Sequence, residues 1–323
     1  MFRNTMDTHT PSTSHDAADL SILAIIVLYK KTLAESSSLQ TLLRAAEMSA
    51  SPFFRLGILV FDNTPGGQYP GELPDHVLYR AAPDNPGLAV PYNEALAFAE
   101  QNSFSWLLTL DQDTSLPADF LLRLEPYARQ YQPADQVAAI VPQIADHGRV
   151  ISPFRFIGGF LPGVLPPGTN GIGKRFTSAL NSSSLLRVSA LRELGGYDLR
   201  FPLHNSDTRL YQRIDEAGKQ VFIAGDIRVD HELAILQRED RMTPDRYRKL
   251  LLDECDFWDL HMGVLGRTER LVRLAGRVCK GYLKHEDPAF RRITCQEIVR
   301  RLCVRRRDRI RASAQAGKDT VVQ

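Results

Sequence analysis

Trp106-Leu107-Leu108-Thr109-Leu110-Asp111-Gln112-Asp113-Thr114 decides how the rest of the chain is read. An apolar run of this length, bounded by polar residues, predicts a buried strand, and two carboxylates spaced i, i+2 fall where it leaves the sheet. Residues i and i+2 of an extended segment point the same way, so the oxygens of Asp111 and Asp113 can face one cation. Carboxylate oxygen suits hard divalent ions such as Mg²⁺ or Mn²⁺, which are often shared with substrate phosphates. Asp-x-Asp alone is common in solvated loops. Its weight here comes from the carboxyl end of a strand in an α/β pattern, where open sheets bind ligands.

Working outward, Ile22-Leu-Ala-Ile-Ile-Val-Leu28 has the continuous apolar character of a central parallel strand. Residues 33–48 carry Leu39, Leu42, Leu43 and Ala46 at helical spacing. Leu56 to Phe61 predicts a second strand, ending in the turn chemistry of Asp62-Asn63-Thr64-Pro65-Gly66-Gly67. A short strand is expected at Val77 to Arg80 and a helix from Asn93 to Gln101. Beyond Asp113 the pattern predicts a helix from Pro117 to Gln130 and a strand from Val137 to Val141. Ser178 to Arg187 has strand or edge character, and Ser189 to Leu194 is a short helix closed by Gly195-Gly196. A helix from Asp207 to Ala217 and a last strand from Val221 to Ala224 complete the alternation. Such alternation implies an α/β fold, a mostly parallel central sheet with helices on both faces. Residues 146–174, where glycine and proline interrupt aromatics, read as a long loop, uncommon in a compact domain unless functional.

The 323 residues suffice for one large domain and an appendage. The longest apolar stretch, Leu20 to Tyr29, is too short for a bilayer, which needs about 20 residues. Residues 1–19 are polar and lack the apolar core of a secretory signal, so a disordered tail and a cytoplasmic location are expected. Cys255, Cys279, Cys295 and Cys303 form no Cys-x-x-Cys pair, which argues against a cysteine metal site or redox motif. The net charge of +2 hides an uneven distribution, because arginines crowd the C-terminal part. The expected division is a tail at 1–19, a catalytic domain at 20–240 and a basic helical extension at 241–323.

In that extension Leu271, Leu274, Ala275, Val278 and Tyr282 make one apolar stripe, and Cys295, Ile298, Val299 and Leu302 make another. Arg267, Arg270, Arg273, Arg277, Lys280 and Lys284 flank the first. A basic amphipathic helix can lie on an anionic membrane surface, or it can pack on the catalytic domain with a solvated basic face. No reading motif accompanies the charge, so nucleic acid is not an expected partner.

Four clusters stand at the ends of expected strands: Asp62-Asn63; Asp84-Asn85-Pro86-Gly87 with Asn93; Asp111 with Asp113; and His231. Neighbouring parallel strands put their carboxyl ends on one rim, so these groups can converge on one cleft. In wording and order the segments resemble family 2 glycosyltransferases of the nucleotide-diphospho-sugar transferase (GT-A) fold, and especially the bacterial rhamnosyltransferase branch. The resemblance runs from Ile22 to His231, through Ile25-Ile-Val-Leu-Tyr29, Val60-Phe-Asp-Asn63, Asn85-Pro-Gly-Leu-Ala-Val-Pro-Tyr-Asn93, Leu107-Leu-Thr-Leu-Asp-Gln-Asp-Thr114, Gly195-Gly-Tyr-Asp198, and Asp207 six residues ahead of Arg213.

The resemblance implies a metal-dependent inverting enzyme that moves a sugar, L-rhamnose in that branch, from a nucleotide-diphospho-sugar to a saccharide or lipid-linked saccharide in cell-surface polysaccharide synthesis. Tyr29, Asp62, Asn85, Gly87, Asn93 and Asp111 would lie at the donor. Asp62 would accept from the imide N–H of a uracil or thymine ring; otherwise it stabilises its own turn. Asn85 and Gly87 would shape the loop near the nucleotide, or form a plain turn. Asp113, with Asp111 and His231, would hold Mn²⁺ or Mg²⁺, although His231 equally suits a structural histidine. Asp207 would be the general base, its plainer role being a helix N-cap. The family usually has an acid two positions after this base, where this chain has Arg209. Residues 154–176 and 181–184 would shape the acceptor side. Two other readings are a nucleotidyltransferase, for which Tyr29-Lys-Lys-Thr-Leu-Ala34 offers no glycine-rich phosphate loop, and a non-catalytic sugar-nucleotide-binding protein.

Overall fold

Continuous apolar runs become the middle of the sheet. In the computed structural model, which describes residues 20–49, 54–158, 161–231, 242–284 and 287–309, all nine residues of β1 (Leu20–Leu28) are buried. A strand flanked on both edges and covered on both faces needs apolar side chains throughout. β1 pairs in parallel with β2 (Phe54–Asp62) and β4 (Trp106–Asp111), and β2 with β3 (Val77–Ala81). Their carboxyl ends form one rim.

β5 (Thr114–Ser115) follows the rim turn, then β6 (Val137–Asp146), β7 (Arg149–Ser152), β8 (Phe154–Ile157), β9 (Leu161–Val164), β10 (Gly171–Ile172), β11 (Thr177–Ser178), β12 (Ser184–Arg187) and β13 (Gln220–His231). The main order is β10-β13-β6-β12-β4-β1-β2-β3, with β5 on β13 and β7 on β6, and β11-β8-β9 forms a separate small sheet. Helices α1 (Ser37–Met48) and α3 (Phe120–Tyr131) cover one face, burying Leu39, Leu42, Leu121 and Leu124 with Leu108 and Ile140. On the other face α2 (Ala89–Gln101), α4 (Val188–Leu194) and α5 (Ser206–Glu216) bury Tyr92, Leu96, Leu191, Leu210, Tyr211 and Ile214 with Leu107 and Val141.

Several expectations need correction. The segment expected as a long loop contains β7 to β10, because short antiparallel pairs between Pro and Gly breaks carry too few apolar residues to register as strands. The 184–187 strand is no edge. It lies antiparallel between β4 and β6, wholly buried, and so interrupts the parallel half of the sheet. β13 runs on to His231 rather than stopping at Ala224, alternating exposed Asp226, Arg228 and Asp230 with buried Ile227, Val229 and His231. Its period-2 charge pattern conceals it from a search for apolar runs. α2 starts at Ala89, with Pro91 in its first turn, where a missing N–H costs nothing.

Three helices follow: α6 (Pro244–His261), α7 (Val264–Leu283) and α8 (Pro288–Cys303). Thr243 caps α6 by accepting from Arg246 N at 3.2 Å. Phe257, Trp258 and Met262 cluster with Phe201 of the sheet-bearing part, and the Phe201 and Phe257 rings lie 5.7 Å apart. The expected stripe on α8 is not the buried one: Cys295, Val299 and Leu302 are exposed, while Ile293, Thr294, Glu297 and Arg301 are buried. Ion pairing with α6 selects that face, since Arg301 reaches Asp259 at 3.0 Å and Arg309 reaches it at 2.8 Å. Removing one partner of such a pair would strand a buried charge. Arg270 and Arg277 likewise meet Glu254, so much of the basic run is internally neutralised. No helix among the described residues is long and apolar enough to cross a membrane. The expected tail at 1–19 and the expected boundary at 240 lie outside the described residues.

Candidate active site

The Asp111–Thr114 turn is fastened from three directions. Ser36, the N-cap of α1, donates to Gln112 O at 3.1 Å, and Ser38 bonds the carbonyls of Asp111 and Thr114. Ser182 Oγ accepts from Asp111 N at 3.3 Å and also meets Thr114 Oγ1. Tyr29 N donates to Gln112 Oε1 at 2.8 Å, which draws the end of β1 to the same turn. Three segments thereby fix the backbone of the turn that carries the two carboxylates. Of the serines only Ser182 lay within a segment tied to the site in the sequence, and hydrogen-bond partners far apart in the chain leave no periodic signal.

The carboxyl of Asp111 sits in a poorly solvated position. Desolvation, with the nearby Asp113 and Asp207 carboxylates, raises its pKa to about 6, against the opposing pull of His231 and Tyr92. Asp113 Oδ1 lies 3.6 Å from His231 Nδ1, whose nearer partner is Thr114 Oγ1 at 3.0 Å. Antiparallel pairing of His231 with Thr114 brings the end of β13 to the turn. Asp207 occupies the first turn of α5. It is not the N-cap, which is Asn205 at φ 60°, and its Oδ1 accepts from Thr208 N at 2.6 Å. Burial raises the Asp207 pKa above the ordinary carboxylate value. Arg209 pairs with Glu216 at 3.1 Å and approaches Asp198 at 3.6 Å, and no ion pair joins it to Asp207 among the described residues.

Of the other residues expected at the donor, Asp62, Gly87 and Asn93 also serve the scaffold. Asp62 is fully buried, accepting from Thr64 N at 2.9 Å, Gln68 Nε2 at 2.8 Å and Tyr79 OH at 2.7 Å. Its carboxylate holds the turn after β2, the plainer of its two sequence readings. Asn63 donates to Gly87 O at 2.7 Å and ties that turn to the next loop. Asn85 is exposed at φ 48°. Gly87, at φ 83°, lies against the backbone of Pro202, where an added Cβ would stand 2.4 Å from the carbonyl oxygen. Asn93 accepts from Tyr197 N at 2.6 Å and donates to Tyr197 O at 3.0 Å, clamping the Gly195-Gly196 turn. Arg213 secures the same turn through Gly196 O at 2.7 Å. Tyr29 is 40% exposed at the rim, with Lys30 Nζ 5.1 Å from its ring centre. The structure thus brings Asp113 to His231, sets Asp111 within the electrostatic reach of Asp113, His231 and Asp207, places Tyr29 beside the turn through Gln112, and uses Asp62, Gly87 and Asn93 to hold the loops around it.

Neither a family model nor a curated protein matches the chain by sequence. Solved structures do match. GalNAc-T7, in a crystal structure with UDP, GalNAc and Mn²⁺, matches with a TM-score of 0.50 at 14% identity over 75% of this chain and 51% of that one. This chain therefore spans about half the length of that neighbour. TarS 1-349 of S. aureus matches with a TM-score of 0.47 at 12% identity over 94% of this chain and 92% of that one. The fold is GT-A.

Within the GT-A fold the carboxyl rim of β1, β2 and β4 is the natural ligand edge, and the acidic turn stands on it. No group of three or more His, Cys, Asp or Glu side chains is already gathered to hold a metal among the described residues. The donor set nevertheless fits a hard divalent ion in kind: two carboxylates, one with its charge disfavoured by burial and like-charged neighbours, and an adjacent imidazole. A cavity of about 290 Å³ opens beside the first turn of α5, lined by Phe156, Phe176, Thr208, Tyr211, Gln212 and Phe257 among others. It joins the small sheet to the C-terminal helices. Phe156, Gly158, Arg175 and Phe176 of its lining come from the 154–176 segment expected to shape an acceptor side, whereas Phe257, Met262 and Gly263 were not singled out in the sequence.

Proposed function

We propose that the protein is a metal-dependent inverting glycosyltransferase that uses a nucleotide-diphospho-sugar donor. The observation that carries this reading is the pairing of Asp207 with the Asp111–Asp113 turn: a half-buried, desolvated carboxyl of raised pKa, with no ion pair among the described residues, beside a second carboxyl of raised pKa. A general base works best when its pKa approaches the operating pH. Asp207 would take the proton of an acceptor hydroxyl as that oxygen bonds to the anomeric carbon. The bond from that carbon to the diphosphate breaks, and its electron pair leaves with the phosphate. Single displacement inverts the anomeric configuration.

Asp113, Asp111 and His231 would hold the divalent ion. When bound, Mn²⁺ or Mg²⁺ neutralises charge on the leaving diphosphate. The neighbour GalNAc-T7, which carries UDP, GalNAc and Mn²⁺, supports this ligand class. Tyr29 would face the donor base, while Asp62, Asn85, Gly87 and Asn93 act through the loops they shape. The cavity beside Thr208 would take the acceptor, a saccharide or lipid-linked saccharide, against Phe156 and Phe176. L-rhamnose is the donor sugar favoured by the Leu-Thr-Leu-Asp-Gln-Asp wording. A panel of nucleotide sugars with Mn²⁺, read by nucleoside diphosphate release, tests the proposal. Release should require donor and metal, and Asp113→Asn should lower it sharply. Turnover indifferent to both EDTA and Asp113→Asn would overturn the metal role, and product of retained configuration would overturn single displacement.

A further inference from the structure

The C-terminal helices leave one face of α7 without a partner, and it is not the face expected from the sequence. α7 turns Gly266, Arg270, Leu274 and Gly281 inward. On the opposite side Leu265, Thr268, Val272, Ala275, Cys279 and Leu283 recur at spacings of three and four, so they form one stripe along the helix. Leu265 is 74%, Val272 68% and Leu283 82% exposed. Val264 and Tyr282, also exposed, widen its edge. From Leu265 to Leu283 the stripe is about 27 Å long at helical rise. A surface helix of a soluble domain normally shows its polar side to water. Here an arginine is buried and leucines are in solvent.

Charge on the rim says what this face suits. Lys280 and Lys284 are exposed beside it and take no ion pair among the described residues. Arg291 lies over the Tyr282 ring, 4.6 Å from its centre. The single acidic residue of α7, Glu269, is bound to Arg273. Two copies meeting through this stripe would bring cationic rims together, whereas an anionic surface would be attracted.

We propose that α7 is a lipid-docking helix, lying in the interface of an anionic bilayer with Leu265, Val272 and Leu283 inserted and Lys280 and Lys284 among the phosphates. Apolar insertion plus attraction to anionic headgroups is the general basis of such binding, and an aromatic at the boundary suits the headgroup level. The stripe begins at Val264, directly after Met262 and Gly263, which line the cavity beside Thr208. Docking on it therefore starts at the rim of that cavity.

Full-length protein would be sedimented at low salt with phosphatidylcholine vesicles, with and without phosphatidylglycerol. Binding is expected only with the anionic lipid, and added salt should weaken it. Combining Val272→Asp with Leu283→Asp should lower vesicle affinity about tenfold or more, with circular dichroism and melting unchanged because both sites are exposed. Val272→Trp supplies a second readout: Trp106 and Trp258 are buried, so a blue shift on adding vesicles reports the new indole entering lipid. Wild-type protein that ignores anionic vesicles, or an aspartate variant that binds as well as wild type, overturns the proposal. Dimerisation abolished by the same variant would assign the stripe to a second copy, and also overturns it. None of these readouts requires turnover, so their failure is separate from failure of the proposed transferase reaction.

Discussion

Gly87→Ala separates two roles for the loop after β3. The family resemblance implies that glycine lets the backbone approach a nucleotide, whereas the structure puts Gly87 against Pro202. At φ 83° an alanine would pay about 1–2 kcal/mol for the left-handed conformation. Its Cβ would stand 2.4 Å from Pro202 O and 2.9 Å from Pro202 C, and backbone cannot swing aside as a side-chain tip can. The two segments must therefore part. Parting them weakens the bonds from Leu88 N and Ala89 N to Pro202 O, at 2.5 and 3.0 Å, each worth about 0.5–1.5 kcal/mol net. Together these effects come to about 2–5 kcal/mol, a large fraction of the roughly 5–15 kcal/mol typical of a domain. Pro202 is followed within a few residues by Asp207, so the same displacement should reach the candidate base. Urea unfolding followed by fluorescence of the buried Trp106 and Trp258 measures the loss. A variant within about 0.5 kcal/mol of wild type that binds nucleotide poorly would refute the packing argument and restore the nucleotide role.

Asp207→Asn should cut transfer about 10²–10⁴-fold while raising stability near neutral pH. Burial lifts the Asp207 pKa, so ionisation is a cost to the folded state above it, which an amide does not incur; an active or destabilised variant would refute this. Mn²⁺ affinity, followed by calorimetry, should fall as pH drops through about 6, where desolvated Asp111 takes up a proton, and a flat profile there refutes the assignment. Asp62→Asn should lose about 1–3 kcal/mol at neutral pH, since a buried charged acceptor of three hydrogen bonds becomes neutral. Burial alone would raise the Asp62 pKa, but the bonds from Thr64, Gln68 and Tyr79 outweigh it and lower the value. The wild-type advantage is thus complete above the unfolded carboxyl pKa and disappears as pH falls through the folded one. Unfolding midpoints in neutral and acidic buffer check this; a difference that persists in acid refutes it.

β1, β4 and the second half of β2 were legible in the sequence because a stretch buried on both faces must be apolar at nearly every position, a local property. The placement of Asp111 and Asp113 at a sheet rim follows from the same property, since the apolar run has to end where the chain leaves the core. Tertiary structure decided the rest. The central position of the 184–187 strand depends on β4 and β6 as its neighbours, and no local pattern names a strand's neighbours. The three serines holding the acidic turn lie about seventy residues from it on either side. Asn93 and Gly87 stand in a motif suggestive of substrate contact, yet their neighbours in space are Tyr197 and Pro202. On α8 the buried face is not the apolar one, because Arg301 meets Asp259 of α6 and turns inward together with Glu297, its own neighbour on α8; on α7 Arg270 turns inward to Glu254 of α6, beside Leu274 of the expected stripe. Periodicity records which side of an element can be buried, but only the partner that packs against it determines which side is.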